Sequence, residues 1–524
     1  MDEKRRVTKA AALMSIATFM SRITGYVKDM VLAKVFGATG MTDAFFIAFR
    51  IPNLLRELFA EGSVSAAFVP VFTEHLTRNG KEEAKRLAGI VFAFLLSVLI
   101  IICLLGILLA PYIVSAIAPG FIKDPAKFSM TVLLTKVMFP FLVFVSLAAL
   151  AMGILNSMRS FFMPALAPLF LNLSIIASAI FLAPEFSVPL LAVAIGVTFG
   201  GALQYAVQIP SLMRHGFDLR PIFSFSHSGL RKILVLLLPA TLGMGVAQIN
   251  IFVSTIFVSY LPDGSATYLY YGMRLIHFPI GIFGVAMAMA VLPSLSEQAV
   301  KGETGALRDT FSFSLRLLFF ITVPAMAGLI ALSEPIVNIL FQRGEFTAEA
   351  TAGTAYAVVF YSTGLWAFVG VRVVTSTFYS LQDTRTPVKV AVLSVLSNVV
   401  FSLLLMGPLK HGGLALANAL ASSINFILLF YLLRKKLGRI DGRNILRSFS
   451  KILFASSLMG LIGWLIIQGR PWVEAVNTLE KVGILSITIA LCIAFYFGLM
   501  FLLKSDELRY LLSMIKLKVR REKI

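Results

Sequence analysis

Three stretches of this chain place charge inside apolar sequence. MSRITGYVKDMVLAKVFG (20–37) carries Arg22, Lys28, Asp29 and Lys34, and DAFFIAFRIPNLLRELFAEGSVSAAF (43–68) carries Asp43, Arg50, Asn53, Arg56, Glu57 and Glu61. YLYYGMRLIHFPIG (268–281) adds Arg274 with no acid of its own. With Lys34, near a segment end, set aside, they hold five cations (Arg22, Lys28, Arg50, Arg56, Arg274) against four acids (Asp29, Asp43, Glu57, Glu61). Cations in such surroundings either pair internally or take an anion. Internal pairing would join Arg22 to Asp29, Arg50 to Asp43 or Glu57, and Arg56 to Glu61, and it leaves Arg274 over. A wet cavity with surplus guanidinium suits an anionic ligand, since the Arg fork matches phosphate oxygens.

Spacing places these groups. Ser15, Arg22 and Asp29 recur every seven residues and share a helix face, with Thr18 and Gly25 close by. Pro52 removes a backbone donor, which a membrane helix tolerates where protein or water satisfies the freed group. Gly25, Pro52 and Gly62 are candidate hinges. Lys34, Lys136, Arg316 and Lys451 sit near segment ends or alone and read as snorkelling side chains.

Other chemistry lacks its residues. There is no Gly-x-x-x-x-Gly-Lys-Ser/Thr phosphate loop, the five histidines are scattered, and Cys103 and Cys492 lie far apart in apolar runs. The chain reads as no enzyme, with no cofactor; Asp383, in QDTRTP, is a turn residue ahead of an ion site.

The elements that must carry the charges are membrane spans. Of 524 residues, 58% are hydrophobic and 14% charged, whereas soluble domains stand near 45–50% and about 25%. Apolar runs long enough to cross a bilayer fall near 10–36, 41–72, 87–118, 129–156, 160–182, 188–213, 230–260, 267–297, 308–341, 350–381, 387–407, 411–434, 445–468 and 482–503. Segments 1, 2, 8 and 10 are polar enough to escape a hydropathy window. The N-terminus has a basic start but runs on through Arg22 and Asp29 without a cleavage pattern, so it reads as a retained first helix. The fold expected is all-α and polytopic, with fourteen spans. Thirty of the 46 Lys and Arg fall in loops on the side of the two termini and six in the opposite loops. That bias puts both termini in the cytoplasm and explains the net charge of +20 without nucleic acid.

A faint repeat divides the spans. FVPVFTEHLTRNG (68–80) resembles VLPSLSEQAVKG (291–302), NSMRSFFMP (156–164) resembles YSLQDTRTP (379–387), and LLAVAIG (190–196) resembles GLALANA (413–419), all at one offset of 223 residues. Two pseudo-symmetric six-span lobes follow, 1–220 and 221–440, with two further C-terminal helices and a basic cytoplasmic tail in 441–524. Parallel repeats of this kind place a substrate site between lobes.

The residues from MSRITGYVKD through AAFVPVF strongly resemble the opening of the MurJ (MviN) family. So do YYGMRLIHFPIGIFGVAMAMAVLPSLS (270–296), FYSLQDTRTPVKVAV (378–392) and GPLKHGGLALANALA (407–421). That family comprises bacterial lipid II flippases of the multidrug/oligosaccharidyl-lipid/polysaccharide exporter superfamily. The resemblance implies alternating access in the bacterial inner membrane, moving an undecaprenyl-pyrophosphate-linked peptidoglycan precursor outward through a cationic cavity. It places cavity arginines on Arg22, Arg56 and Arg274, and matched acids on Asp29, Asp43 and Glu61. Lys28 stands where the family often has Arg, keeping charge without the planar fork. A sodium site of some members would involve spans 7, 11 and 12, with Asp383 a weak candidate match beside Tyr379 and Val399, so sodium coupling stays open, and the membrane potential is a second candidate coupling. Expected partners are lipid II, membrane lipids and enzymes of peptidoglycan synthesis. The competing readings are an exporter of another polyprenyl-linked saccharide and a non-transporting scaffold for cell-wall synthesis.

Overall fold

The computed structural model describes residues 3–57, 65–224, 226–469, 472 and 478–521. Among them every regular element is helical. The chain forms two compact units, Met1–Ala266 with Arg343–Phe346, and Thr267–Gln342 with Thr347–Ile524.

The first unit contains α1 (Glu3–Phe36), α2 (Gly40–Arg56), α3 (Ser65–Arg78), α4 (Gly80–Leu108) and α5 (Ala110–Ile117). It continues with α6 (Pro125–Met138), α7 (Phe141–Ser157), α8 (Phe162–Ala177), α9 (Pro189–Ala206), α10 (Ile209–Arg214) and α11 (Ser228–Ser259). The helix α12 (Ser265–Pro279) leads into the second unit through a π-helical turn, Ile280–Gly284, where Pro279 supplies no N–H. There follow α13 (Val285–Val300), α14 (Thr304–Ala331), α15 (Ser333–Phe341), α16 (Ala348–Ser362) and α17 (Leu365–Ser380). The remainder is α18 (Arg385–Leu437), α19 (Gly442–Ile467), α20 (Thr478–Leu502) and α21 (Asp506–Arg521).

Each expected span falls on helix in its described residues. Spans 11 and 12 form the continuous run α18, broken at Lys410, whose φ of 49° and ψ of −129° are not helical. Among the described residues nine helices are long and apolar enough to cross a membrane, ten if the bent pair α16 and α17 is one span. The charged α1 and α2 are not among them, and α13 joins α12 in a single apolar run.

Aromatic side chains fill each unit's interior. In the first, Phe72 lies 5.1 Å from Phe68 and 5.6 Å from Phe217, ring centre to ring centre, joining α3 to the chain after α10. In the second, Phe319 meets Phe426 at 5.9 Å and Phe449 at 5.1 Å, joining α14, α18 and α19. Small residues let these helices approach, as membrane packing requires: a Cβ on Gly370 would lie 2.7 Å from the Phe426 ring.

The repeat reappears in local geometry. Glu74 accepts from Arg78 at 3.2 Å, and Glu297, at the same repeat position, accepts from Lys301 at 2.6 Å. Arg159 and Gln382, also equivalent, both have φ of 58°. Helix-terminating turns of one left-handed residue thus recur at one register.

Two expectations about lone cations are corrected. Arg316 pairs with the buried Glu507 at 3.3 Å, and that carboxylate also accepts from Ser448 at 2.8 Å and Ser505 at 2.6 Å. Lys451 donates to the Leu503 carbonyl at 2.8 Å. Both found acceptors at the C-terminal end of the chain and neither is simply reaching for water.

Candidate functional site

The start of α2 is fixed by a cap. Thr39, extended at φ −112°, accepts from the Thr42 N–H, and the Thr42 hydroxyl donates to the Phe36 carbonyl at 3.0 Å. Just before it, Gly37 takes φ of +61°, and a Cβ there would lie 2.3 Å from the Glu345 carbonyl oxygen. Only glycine fits that corner. The register so set buries Thr42, Asp43, Phe45, Phe46 and Ile47 and turns Arg50, Asn53, Arg56 and Glu57 to half-buried positions.

Asp43 is 2% exposed. Its Oδ2 accepts from Lys127 Nζ at 3.3 Å and from the Gly264 N–H at 2.8 Å. Lys127 is itself buried, reaches Asp263 Oδ1 at 2.7 Å, and stands 4.2 Å from the centre of the Phe121 ring. Read from sequence as a loop cation, Lys127 is instead an interior partner for Asp43. The signal was Asp124, three residues earlier, which accepts from the Ala126 and Lys127 N–H groups and starts α6 ahead of the apolar run.

Further along α2, Arg50 Nη1 donates to the Thr255 hydroxyl at 2.8 Å. One turn and a half on, Arg56 Nε donates to Asn53 Oδ1 at 2.9 Å, and Asn53 Nδ2 donates to Glu57 Oε1 at 3.1 Å. Gln248 Nε2 donates to Glu57 Oε2 at 2.8 Å, while the Arg56 guanidinium stands 3.8 Å from Oε1. This polar seam between α2 and α11 brings Arg50 to Thr255 and sets Arg56 and Gln248 on the Glu57 carboxylate. Gln248 and Thr255 escaped the sequence reading, although they stand seven residues apart in span 7 as Arg50 and Glu57 do in span 2.

On α1, Asp29 is fully buried and pairs with Lys28 at 3.0 Å. Arg22, on the face expected to be shared with Asp29, is exposed, and Gly25 lies buried inside an unbroken helix. Asn172 of α8 donates to the Ser21 carbonyl at 3.3 Å, tying α8 to the turn that carries Arg22. Arg274 belongs to the second unit, half-buried on α12 five residues before Pro279. Glu61 and Gly62 lie outside the described residues. Pro52 is buried in α2.

Asp383 accepts from the Thr386 N–H at 3.0 Å, the Thr386 hydroxyl at 2.9 Å and Lys436 Nζ at 2.8 Å. The Lys436 ammonium foremost, with the Thr386 N–H, holds its carboxyl down at about 2. Among the described residues no group of three or more His, Cys, Asp or Glu side chains is placed to hold a metal ion.

Residues 32–480 match the family described as "Lipid II flippase MurJ". The chain belongs to this MurJ family. A lipid II flippase MurJ of Burkholderia cenocepacia is 35% identical over 94% of this chain and 97% of its own length. A probable lipid II flippase MurJ of Vibrio cholerae is 36% identical over 81% of this chain and 82% of its own. Among solved structures, a lipid II flippase MurJ in an inward closed conformation superposes with a TM-score of 0.79 at 28% identity, covering 94% of this chain and 99% of that one. An inward-facing multidrug resistance MATE family transporter of the MOP superfamily, 12% identical, shares the fold at a TM-score of 0.66. The MurJ likeness and the apolar helices make this a multi-pass protein of the bacterial inner membrane, built as a transporter.

Proposed function

We propose that this chain is a lipid II flippase that carries the undecaprenyl-pyrophosphate-linked precursor from the inner to the outer leaflet by alternating access. The observation that carries the reading is the seam on α2, where half-buried Arg50 and Arg56 are held beside one another along one helix by Thr255, Asn53 and Glu57. An Arg or Lys at mid-bilayer costs about 2.5–3.5 kcal/mol on insertion scales, and a pyrophosphate is the anion whose passage would use it. The MurJ relatives, similar over nearly the whole chain, point to the same substrate.

Arg22, Lys28, Arg50, Arg56 and Arg274 are the groups assigned to the pyrophosphate and sugar, and Asp29, Asp43, Glu57 and Glu61 set their charge and position. Gly25, Pro52 and Gly62 are the assigned flexible points. The protein moves its substrate without altering it chemically. With thirty loop cations on the side of the termini, both termini face the cytoplasm. The anionic headgroup then moves with an inside-negative potential and gains about 2.3 kcal/mol per charge per 100 mV. Sodium is a second source of coupling, and enzymes of peptidoglycan synthesis are the expected recipients of the product.

Reconstituting the purified chain in liposomes with labelled lipid II in one leaflet tests the reading. Protein-dependent appearance of label in the other leaflet is the expected result. No movement, with a potential or a sodium gradient imposed, would overturn it and leave a scaffold. Movement of a different polyprenyl-linked saccharide but not lipid II would reassign the substrate.

A further inference from the structure

Asp43, Arg50 and Glu57 stand seven residues apart on α2, and Gln248 and Thr255 stand seven apart on α11. A seven-residue step returns to one helix side every two turns. The partners run in opposite order: Asp43 takes the Gly264 N–H in the turn after α11, Arg50 takes Thr255, and Glu57 takes Gln248. These are rungs of an antiparallel ladder. Among the described residues, long polar side chains bridge α2 and α11.

The rungs are built to be exchanged. The Thr255 hydroxyl donates to the Ile251 carbonyl at 2.7 Å, so its lone pairs face Arg50 and it serves only as acceptor there. A guanidinium has five N–H donors and prefers an anionic oxygen to a neutral hydroxyl. Gln248 gives one N–H to Glu57, while among the described residues its buried Oε1 has no hydrogen-bond partner, so that placement carries a desolvation cost. Glu57, through Asn53, in turn sets Arg56.

We propose that Thr255 and Gln248 are positioning residues: they hold Arg50, and through Glu57 and Asn53 also Arg56, while the site is empty, and they lose these partners to the pyrophosphate, so that substrate binding unfastens α11 from α2. The proposal rests on the lipid II reading and adds to it the step that links binding to helix movement. The hydroxyl and amide do not touch the substrate; they are among the partners the arginines give up, and they tie that exchange to α11.

The test uses the full chain in liposomes with labelled lipid II, comparing wild type with Thr255→Val, Thr255→Ser and Gln248→Leu at equal folded protein. Thr255→Val removes this Arg50 partner in advance, so the half-saturating lipid II concentration should fall about ten-fold or more, the worth of a hydrogen bond to a charged group, while turnover also falls. Gln248→Leu should shift both in the same directions, and Thr255→Ser, which keeps the hydroxyl, should match wild type. Hydrogen exchange supplies a second readout: amides of α11 should lose protection in wild type when lipid II is added, and in Thr255→Val they should start unprotected. If wild type transports and Thr255→Val and Gln248→Leu match it in both constants and in exchange, the ladder is overturned and the flippase reading stands. A higher half-saturating concentration in Thr255→Val and Thr255→Ser alike would also overturn it, since site shape alone would then be at work. A wild type that moves no lipid II removes both.

Discussion

The individual charges divide into those that hold the protein together and those the proposed function assigns to a ligand. Lys127 and Asp43 are the clearest of the first kind, with side chains 5% and 2% exposed. Removing one partner of such a pair strands the other, at a cost of about 3–5 kcal/mol. Lys127→Met should lower thermal stability by that amount, and adding Asp43→Asn should recover part of it; equal stability of Lys127→Met and wild type would contradict the account. Asp383 gives a pH signature. Its carboxyl is lowered from 3.8 to about 2, so its stabilising contribution is fully present above 3.8 and is lost as pH falls toward about 2. The melting-temperature gap between wild type and Asp383→Asn should be constant from pH 8 to pH 5 and close on further acidification; a gap independent of pH would show that Lys436 does not hold it. Sequence made Arg50, Arg56, Asp43 and Asp29 visible because charge in apolar runs is conspicuous. It hid Lys127 and Glu507 because their partners are distant along the chain, Asp43 84 residues before Lys127 and Arg316 191 before Glu507.

At the scale of elements, hydrophobic length and punctuation placed helix under the described residues of the expected spans, and the pause between spans 11 and 12 fell at the non-helical Lys410. Polar α1 and α2 were found by their charges and not by hydropathy, since a helix lined for a ligand gives up the apolar content by which a span is recognised. What spacing could not tell is which helices reach which. The first turn of α21 docks by burying Glu507 against Arg316 of α14 and Ser448 of α19, with Tyr510 edge-on to Phe313 at 4.7 Å. Glu507→Ala should raise hydrogen exchange across the first turns of α21 roughly tenfold or more, as hydrogen bonds to a charged group are worth about 1.5–3 kcal/mol. Exchange equal to wild type would mean that the tail is held elsewhere.

For the whole molecule, the sequence repeat and the structure agree on local detail, as in the matched turns at Arg159 and Gln382. On the proposed reading, the surplus of cations within the expected membrane segments and the excess of basic loops on one side suit the protein to passing an anion outward. The most direct test of that claim is the initial rate of labelled lipid II translocation in liposomes with an inside-negative potential, wild type against Arg56→Ala at equal folded protein. The account predicts a rate in wild type that rises with the potential and is lost in Arg56→Ala. An Arg56→Ala variant that flips lipid II as fast as wild type would contradict it.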